Sequence, residues 1–118
     1  MAHDEPMPHP LPEPLVDLIA ARFRVLGEPM RIRLLDRLRE GDATVQQLQE
    51  ELGASQQNVS KHLGVLRDAG MVARVKRGTA SVYSIADPGV FELCEHVCGG
   101  LRRQLGELNA LVQGGVPS

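Results

Sequence analysis

Two cysteines near the C-terminus have the spacing and the chemistry of a reactive site. Cys94 and Cys98 lie four residues apart in the segment LCEHVCGG. In a helix their side chains would share one face, with about 5–6 Å between the Cβ atoms. Three roles fit this pair. The cysteines are small apolar residues of a core or of a seam between subunits, a thiol switch triggered by oxidants, sulfur species or electrophiles, or soft ligands for zinc, copper(I) or trivalent arsenic.

The geometry of a single helix constrains two of these roles. A disulfide within one intact helix is poorly oriented, so oxidation would either bend the helix at Gly99 and Gly100 or link two subunits. A metal would need the cysteines of both subunits, with His96 as an additional ligand. His96 points away from the line of the two cysteines, which favours a surface position for it. The residues leave the three roles open.

A second group of residues could recognise the edges of nucleic-acid bases. Short hydrogen-bonding side chains open an amphipathic stretch, namely Ser55, Gln56, Gln57, Asn58, Ser60, Lys61 and His62. Asn and Gln can form two hydrogen bonds with adenine in the major groove. Polar residues also begin many ordinary helices, so this segment alone is weak evidence. Contacts with phosphate groups are expected from separate basic residues: Arg33, Arg37, Arg74, Lys76 and Arg77.

Hydrophobic spacing and capping residues predict the elements that position these side chains. Helices are expected from Pro14 to Gly27, from Pro29 to Gly41, from a Thr44–Gln47 capping box to Gly53, from Ser55 to Gly70, and from Pro88 to about Val112. The inward residues of two of them are Leu34, Leu35, Leu38, Val59, Leu63 and Leu66. After Gly70 the pattern alternates, and KRGT at 76–79 indicates the tip of a basic β-hairpin with Gly78 in the turn. The predicted fold is mainly α with a small β-hairpin wing, a winged helix-turn-helix.

Charge is divided into blocks that agree with this arrangement. The 118 residues, sufficient for one domain, carry a formal net charge of −2, which excludes a chain coated with basic residues. Residues 22–39 nevertheless hold six Arg against two acids, and residues 61–77 hold five bases against one acid. No Ser/His/Asp or Cys/His spacing and no phosphate-binding glycine loop indicates an enzyme.

The two ends of the chain are expected to be flexible. Residues 1–13 hold four prolines and are interpreted as an arm, 14–112 as the DNA-binding and dimerisation domain, and 113–118 as a tail. His3 and His9 in the arm could chelate nickel or copper, although a solubilising tail is the simpler interpretation. Without a long apolar run or a leader, we expect no membrane contact, a cytoplasmic location and free thiols.

Residues 23–87 resemble the ArsR/SmtB family of bacterial winged-helix repressors. The most specific part is NVSKHLGVLRDAGMV followed by RGTASVYSI. The resemblance implies a homodimer joined by its first and last helices that binds an imperfect inverted repeat near its own operon and dissociates when an inducer binds. It places Gln56, Gln57, Ser60 and His62 at or near the base-reading positions, and Gly78 at the wing tip. Glu28 stands where the family usually has Asp before the proline.

Two signal sites known in this family do not match the sequence. The arsenic-type site has paired cysteines near the start of the third helix, and the corresponding stretch TVQQL contains none. Of the zinc-type ligands at the last helix, Asp87 matches the first position, whereas the others fall on Gly89, Gly100 and Arg103. One carboxylate cannot hold a metal that requires four ligands. Neither site is therefore expected.

The apolar stripe along the last helix predicts a homodimer on its own grounds. It exceeds what one small domain needs to cover, and a two-fold dimer reaches half-sites about 34 Å apart on DNA. The alternative is a helix that folds back on its own domain. A winged-helix protein-docking module without specific DNA binding is a further alternative, which the salt dependence of binding to duplex DNA would distinguish. The expected interface residues are Leu15, Leu18, Val90, Leu93, Val97, Leu101, Leu105 and Leu108.

Overall fold

The computed structural model describes residues 6–113, with only the backbone at positions 109, 112 and 113. The described chain divides into two compact units, one ending at Ala86 and the other beginning at Asp87. The first unit contains α1 (Glu13–Leu26), α2 (Pro29–Arg39), β1 (Ala43–Thr44), α3 (Val45–Leu52), α4 (Gln56–Asp68), β2 (Val72–Arg77) and β3 (Ala80–Ile85). The second contains α5 (Gly89–Gln113).

Side-chain caps fix where the central helices begin. The Thr44 hydroxyl accepts the backbone N–H of Gln47 at 3.1 Å, and the Gln47 side chain accepts the backbone N–H of Thr44 at 2.8 Å. Gly53 ends α3 in the left-handed conformation with φ of +62°. The Ser55 hydroxyl then accepts the backbone N–H of Asn58 at 3.1 Å and starts α4. The predicted caps are confirmed, and they compress the connection between α3 and α4 into a tight turn.

The buried core of the first unit comes from the helices and strands around this turn. α1 contributes no buried residue and lies at its edge. The aliphatic positions predicted from periodicity in α2 and α4 are confirmed as buried. Apolar residues from every other element of the unit complete the core: Leu34, Leu35, Leu38, Ala43, Leu48, Val59, Leu63, Leu66, Met71, Val72 and Tyr83.

The wing is part of a three-stranded antiparallel sheet with the order β1-β3-β2. The sequence predicted only its hairpin, in which Gly78 adopts a φ of +64° at the tip. The strand that the sequence did not predict is β1, where Ala43 pairs with Tyr83 and Thr44 pairs with Val82. This pairing ties the start of α3 to the hairpin, so the turn between α3 and α4 and the wing share one scaffold.

The boundaries at the two ends differ slightly from the expected ones. α1 begins at Glu13, one residue before the expected start, and α5 continues through Gln113, where the tail was expected to begin. His3 and the tail beyond Gln113 lie outside the described residues. Between residues 6 and 113, no helix combines the length and the apolar character needed to cross a membrane.

Candidate nucleic-acid interface

Helix α4 presents one polar face and one buried face. Gln56, Gln57, Ser60 and Lys61 are exposed, whereas Val59, Leu63 and Leu66 on the other side are fully buried. Asn58 is half-buried, and its backbone N–H is used by the Ser55 cap. The burial of the aliphatic residues fixes the rotation of the helix, because turning it would expose the core. The amide and hydroxyl side chains are therefore held in a fixed outward direction.

His62 does not belong to this exposed face. It is only 6% exposed, and its Nδ1 atom lies 3.3 Å from Nη1 of Arg31. Its Nε2 atom lies 3.7 Å from a carboxylate oxygen of Glu28. The prediction that His62 reads a base is therefore wrong, since its ring is directed into the protein. Its position three residues after Val59 and four before Leu66 could have shown this, because those spacings define one helix face.

The wing carries basic side chains on both of its faces. Arg74 pairs with Tyr83 and Lys76 pairs with Ser81, so these two share one face of the hairpin. Arg77 pairs with Ala80 and lies on the opposite face, because successive residues of a strand alternate. All three basic residues are exposed. A DNA backbone that passes either face of the wing would meet a positive charge.

A polar cleft separates the start of α4 from the wing tip. Its volume is about 570 Å³, and Gln56 lines it together with residues of the N-terminal turn of α3 and of the start of β3. The lining groups are mostly amides and hydroxyls, with the carboxylate of Glu50 as the charged one. DNA that contacts both α4 and the wing would cross this cleft. Its remaining lining residues are Thr44, Val45, Gln46, Gln49, Thr79, Ala80 and Ser81.

The two arginines expected on α2 have different surroundings. Arg33 is exposed, whereas the Arg37 side chain is only 18% exposed. Nε of Arg37 donates to the carboxylate of Glu51 at 3.0 Å, and Nη1 donates to the carbonyl of Gly41 at 3.0 Å. The hydrogen bond and the charge of Glu51 raise the pKa of Arg37 above its ordinary value. The prediction of a phosphate contact is unsupported for Arg37, because its guanidinium is committed to joining α2 to α3.

Comparison with known proteins agrees with this arrangement of helices and wing. Residues 26–75 match a helix-turn-helix domain family. The chain is 41% identical over 102 residues to the HTH-type transcriptional regulator Rv0081 of Mycobacterium tuberculosis, covering 86% of this chain and 90% of that one. It is also 35% identical over 86 residues to the regulator NmtR of the same species, covering 73% and 72%. The chain belongs to the ArsR/SmtB family of helix-turn-helix transcriptional regulators.

Two further comparisons extend the relationship. The crystal structure of Rv0081 superimposes on this ArsR/SmtB-family regulator with a TM-score of 0.74 and 42% identity, covering 81% of this chain and 97% of that one. A probable mercury resistance operon repressor of Streptomyces lividans is 39% identical over 77 residues, covering 65% of this chain and 62% of the relative. The fold is therefore a winged helix-turn-helix, and the protein is a DNA-binding transcriptional regulator. Members of the family are regulators and not enzymes.

The two cysteines of the ArsR/SmtB-family regulator are free and exposed on α5. The Sγ atom of Cys98 lies 3.3 Å from Nη2 of Arg102. His96 is exposed as well. Among residues 6–113, no group of three or more His, Cys, Asp and Glu side chains is arranged to hold a metal ion. Within the described part of one chain, the cysteines thus offer two soft ligands at most.

The apolar stripe of α5 is open to solvent in the single chain. Val97, Leu101, Leu105 and Leu108 are each 51–56% exposed, and Leu18 of α1 is 68% exposed. Three other residues expected at a subunit interface differ from these. Leu15 and Leu93 are half-buried, and Val90 is already 5% exposed within its own chain. The prediction that Val90 packs against a second subunit is therefore corrected.

Proposed function

We propose that this regulator is a dimeric repressor that binds an inverted-repeat operator and dissociates when an inducer acts on it. The observation that carries the proposal is the outward row of Gln56, Gln57, Ser60 and Lys61 on α4, opposite a fully buried apolar face. Such a helix can enter the major groove without losing its packing on the domain. A DNA location agrees with the cytoplasmic compartment expected from the sequence.

Within the operator, different residues would supply specificity and affinity. Gln56 and Gln57 can each form a pair of hydrogen bonds with adenine, and Ser60 and Lys61 can reach other base edges. Exposed basic residues that flank this helix would neutralise phosphate groups, which attracts any duplex equally. These are Arg33 on α2 and Arg74, Lys76 and Arg77 on the wing, with the Gly78 turn bringing the wing tip to the DNA.

A second subunit would cover the exposed leucines of α5. A contiguous apolar stripe over several turns of helix is unfavourable in water, and a two-fold partner buries it with an identical stripe. Leu15 and Leu18 of α1 belong to the proposed interface, together with Leu93, Val97, Leu101, Leu105 and Leu108 of α5. The arm up to residue 13 and the tail from 114 would not be needed for this contact.

The thiol pair is proposed as the site where the signal is received. Cys94 and Cys98 lie seven residues, close to two helical turns, before Leu101 and Leu105 respectively, so they continue the same side of α5. Oxidation or a bound soft metal ion would therefore introduce polar or bulky groups into the subunit seam. The similarity to a probable mercury resistance operon repressor supports a thiophilic metal such as zinc, copper(I) or arsenic(III) as the alternative to redox chemistry.

Fluorescence anisotropy on a labelled fragment of the upstream DNA tests the proposal. The protein is measured fully reduced, mildly oxidised, and loaded with zinc, copper(I) or arsenite, beside a Cys94→Ser, Cys98→Ser double variant. We expect tight binding by the reduced protein, release after one of these treatments, and no release of the double variant. Random duplex of equal length serves as the control for specificity.

Two results would contradict parts of this proposal separately. Equal affinity for the upstream fragment and for random duplex, at every salt concentration, would remove the sequence-specific operator. Tight specific binding that ignores oxidants and metals would leave the operator in place and return Cys94 and Cys98 to a purely apolar role.

A further inference from the structure

Arg31 forms hydrogen bonds with three partners from two other helices. Its Nε atom donates to the carbonyl of Val25 at 2.7 Å, and Nη2 donates to the carbonyl of Arg24 at 3.4 Å. These carbonyls belong to the last turn of α1, where helix geometry leaves them without an internal partner. Nη1 lies 3.3 Å from Nδ1 of His62 in the middle of α4. One guanidinium thus joins α1 to the proposed DNA-reading helix.

The state of the imidazole follows from these neighbours. Arginine has only donors, so Nδ1 of His62 must be the acceptor, and the ring proton lies on Nε2. That proton faces the carboxylate of Glu28, 3.7 Å away. The same carboxylate accepts the backbone N–H of Arg31 at 3.2 Å. The three side chains therefore form one small network at a buried position, where a donor or acceptor without a partner is costly.

A second arginine ties α1 to the end of the same helix. Arg22 donates from Nη1 to the carbonyl of Ala69, the residue that caps the C-terminus of α4. α1 has no buried residue of its own, so it is not embedded in the core. It nevertheless reaches α4 at two places: directly at the C-terminus, and through Arg31 at the middle.

We propose that Arg22, Arg31 and His62 are positioning residues that set where the polar face of α4 sits when it reads DNA. None of them contacts a base. The apolar side of α4 resists rotation of the helix, but Leu and Val side chains slide along a core more easily than directional hydrogen bonds stretch. The two tethers supply that direction, and they make the placement of α1 part of the DNA-reading geometry. The inference rests on the proposed reading of DNA by α4.

Substitutions of His62 separate positioning from simple packing. His62→Asn retains an acceptor near the place of Nδ1, whereas His62→Leu fills the space without one. With the full chain, we expect His62→Leu and Arg31→Lys to lose about tenfold in affinity for the operator fragment and less than twofold for random duplex. His62→Asn is expected to stay within about threefold of the wild type on both. Circular dichroism melts establish that each variant is folded at the temperature of the binding measurement.

Arg22 provides the test if the buried variants do not fold. Its side chain is exposed, so Arg22→Ala should fold, lose about threefold in operator affinity and recover with Arg22→Lys. Arg24→Ala is the matched control, because it removes the same charge from the same helix without removing a tether. Equal losses for Arg22→Ala and Arg24→Ala would reduce the effect to charge and overturn the inference.

Other outcomes are equally decisive. The inference is wrong if a folded His62→Leu keeps the wild-type preference for the operator, or if His62→Asn loses as much as His62→Leu. Gln57→Ala is measured alongside to detect failure of the underlying proposal. If Gln57→Ala also leaves the preference intact, α4 does not read the operator, and the inference falls together with that proposal. If Gln57→Ala reduces the preference and the His62 variants do not, only the inference fails.

Discussion

At the residue scale, the neighbours Lys61 and His62 show how one helical position separates a surface role from a structural one. Lys61 is exposed beside Gln57 and Ser60, while His62 lies 100° further around the helix and is 6% exposed. Residue type alone placed both in the base-reading set, because both carry hydrogen-bonding groups. Helical periodicity assigns His62 to the side of Val59 and Leu66. The base-reading set therefore consists of the residues whose burial leaves them free to reach DNA.

Substitution of a base-reading residue should affect one DNA far more than another. Gln57→Ala and Ser60→Ala are each expected to weaken binding to the operator fragment by about 1–3 kcal/mol and binding to random duplex by much less. Anisotropy titrations on the two duplexes at one salt concentration measure the difference. Equal losses on both would mean that these side chains only position the helix.

Arg33 and Arg37 form a matched pair for separating DNA contact from stability, since they lie one turn apart on α2. Arg37→Ala should lower the free energy of unfolding by about 0.5–1 kcal/mol, because Glu51 is half exposed and solvent screens the ion pair. It should leave the salt dependence of DNA binding unchanged. Arg33→Ala should do the reverse. Urea unfolding and salt titrations of both variants provide the measurement, and a flatter salt slope for Arg37→Ala would restore its predicted contact with phosphate.

At the scale of elements, local signals could be predicted from the sequence and distant pairings could not. The Thr44–Gln47 capping box, the Ser55 cap and the Gly78 turn involve residues within a few positions of one another, so their spacing was visible. β1 consists of two residues and pairs with Tyr83, about forty positions along the chain, and two residues leave no alternation to detect. The contacts of Arg31 were invisible for the same reason, because its partners lie on three separate segments.

The wing gives a prediction at this scale because its basic side chains are divided between two faces. Arg77→Ala should weaken binding to the operator and to random duplex alike and reduce the salt slope by about one unit. Arg103→Ala, which removes the same charge from α5, should leave the slope unchanged. An unchanged slope for Arg77→Ala would remove that face of the wing from the interface and leave Arg74 and Lys76 as the wing contacts.

At the scale of the whole molecule, the exposed side of α5 limits what the single chain can do. One winged helix contacts only a few base pairs, so operator affinity depends on a second copy held at a fixed spacing. The sequence predicted this stripe because its period is regular over many residues. It could not distinguish Val90, buried in its own chain, from Leu105, which is 56% exposed, because both fit the same spacing. Burial depends on what the rest of the chain places against each residue.

Leu105→Glu should therefore separate association from folding. A carboxylate in the stripe is unfavourable in a subunit seam but acceptable in water, so we expect a folded monomer with the helical content of the wild type. Operator affinity should fall by at least about tenfold, because each half-site then binds alone. His96→Glu is the matched control, since His96 lies nine residues, two and a half turns, before Leu105 and thus on the opposite side of α5. Sedimentation equilibrium and anisotropy provide both readings, and a dimeric Leu105→Glu protein that still binds tightly would place the subunit seam elsewhere.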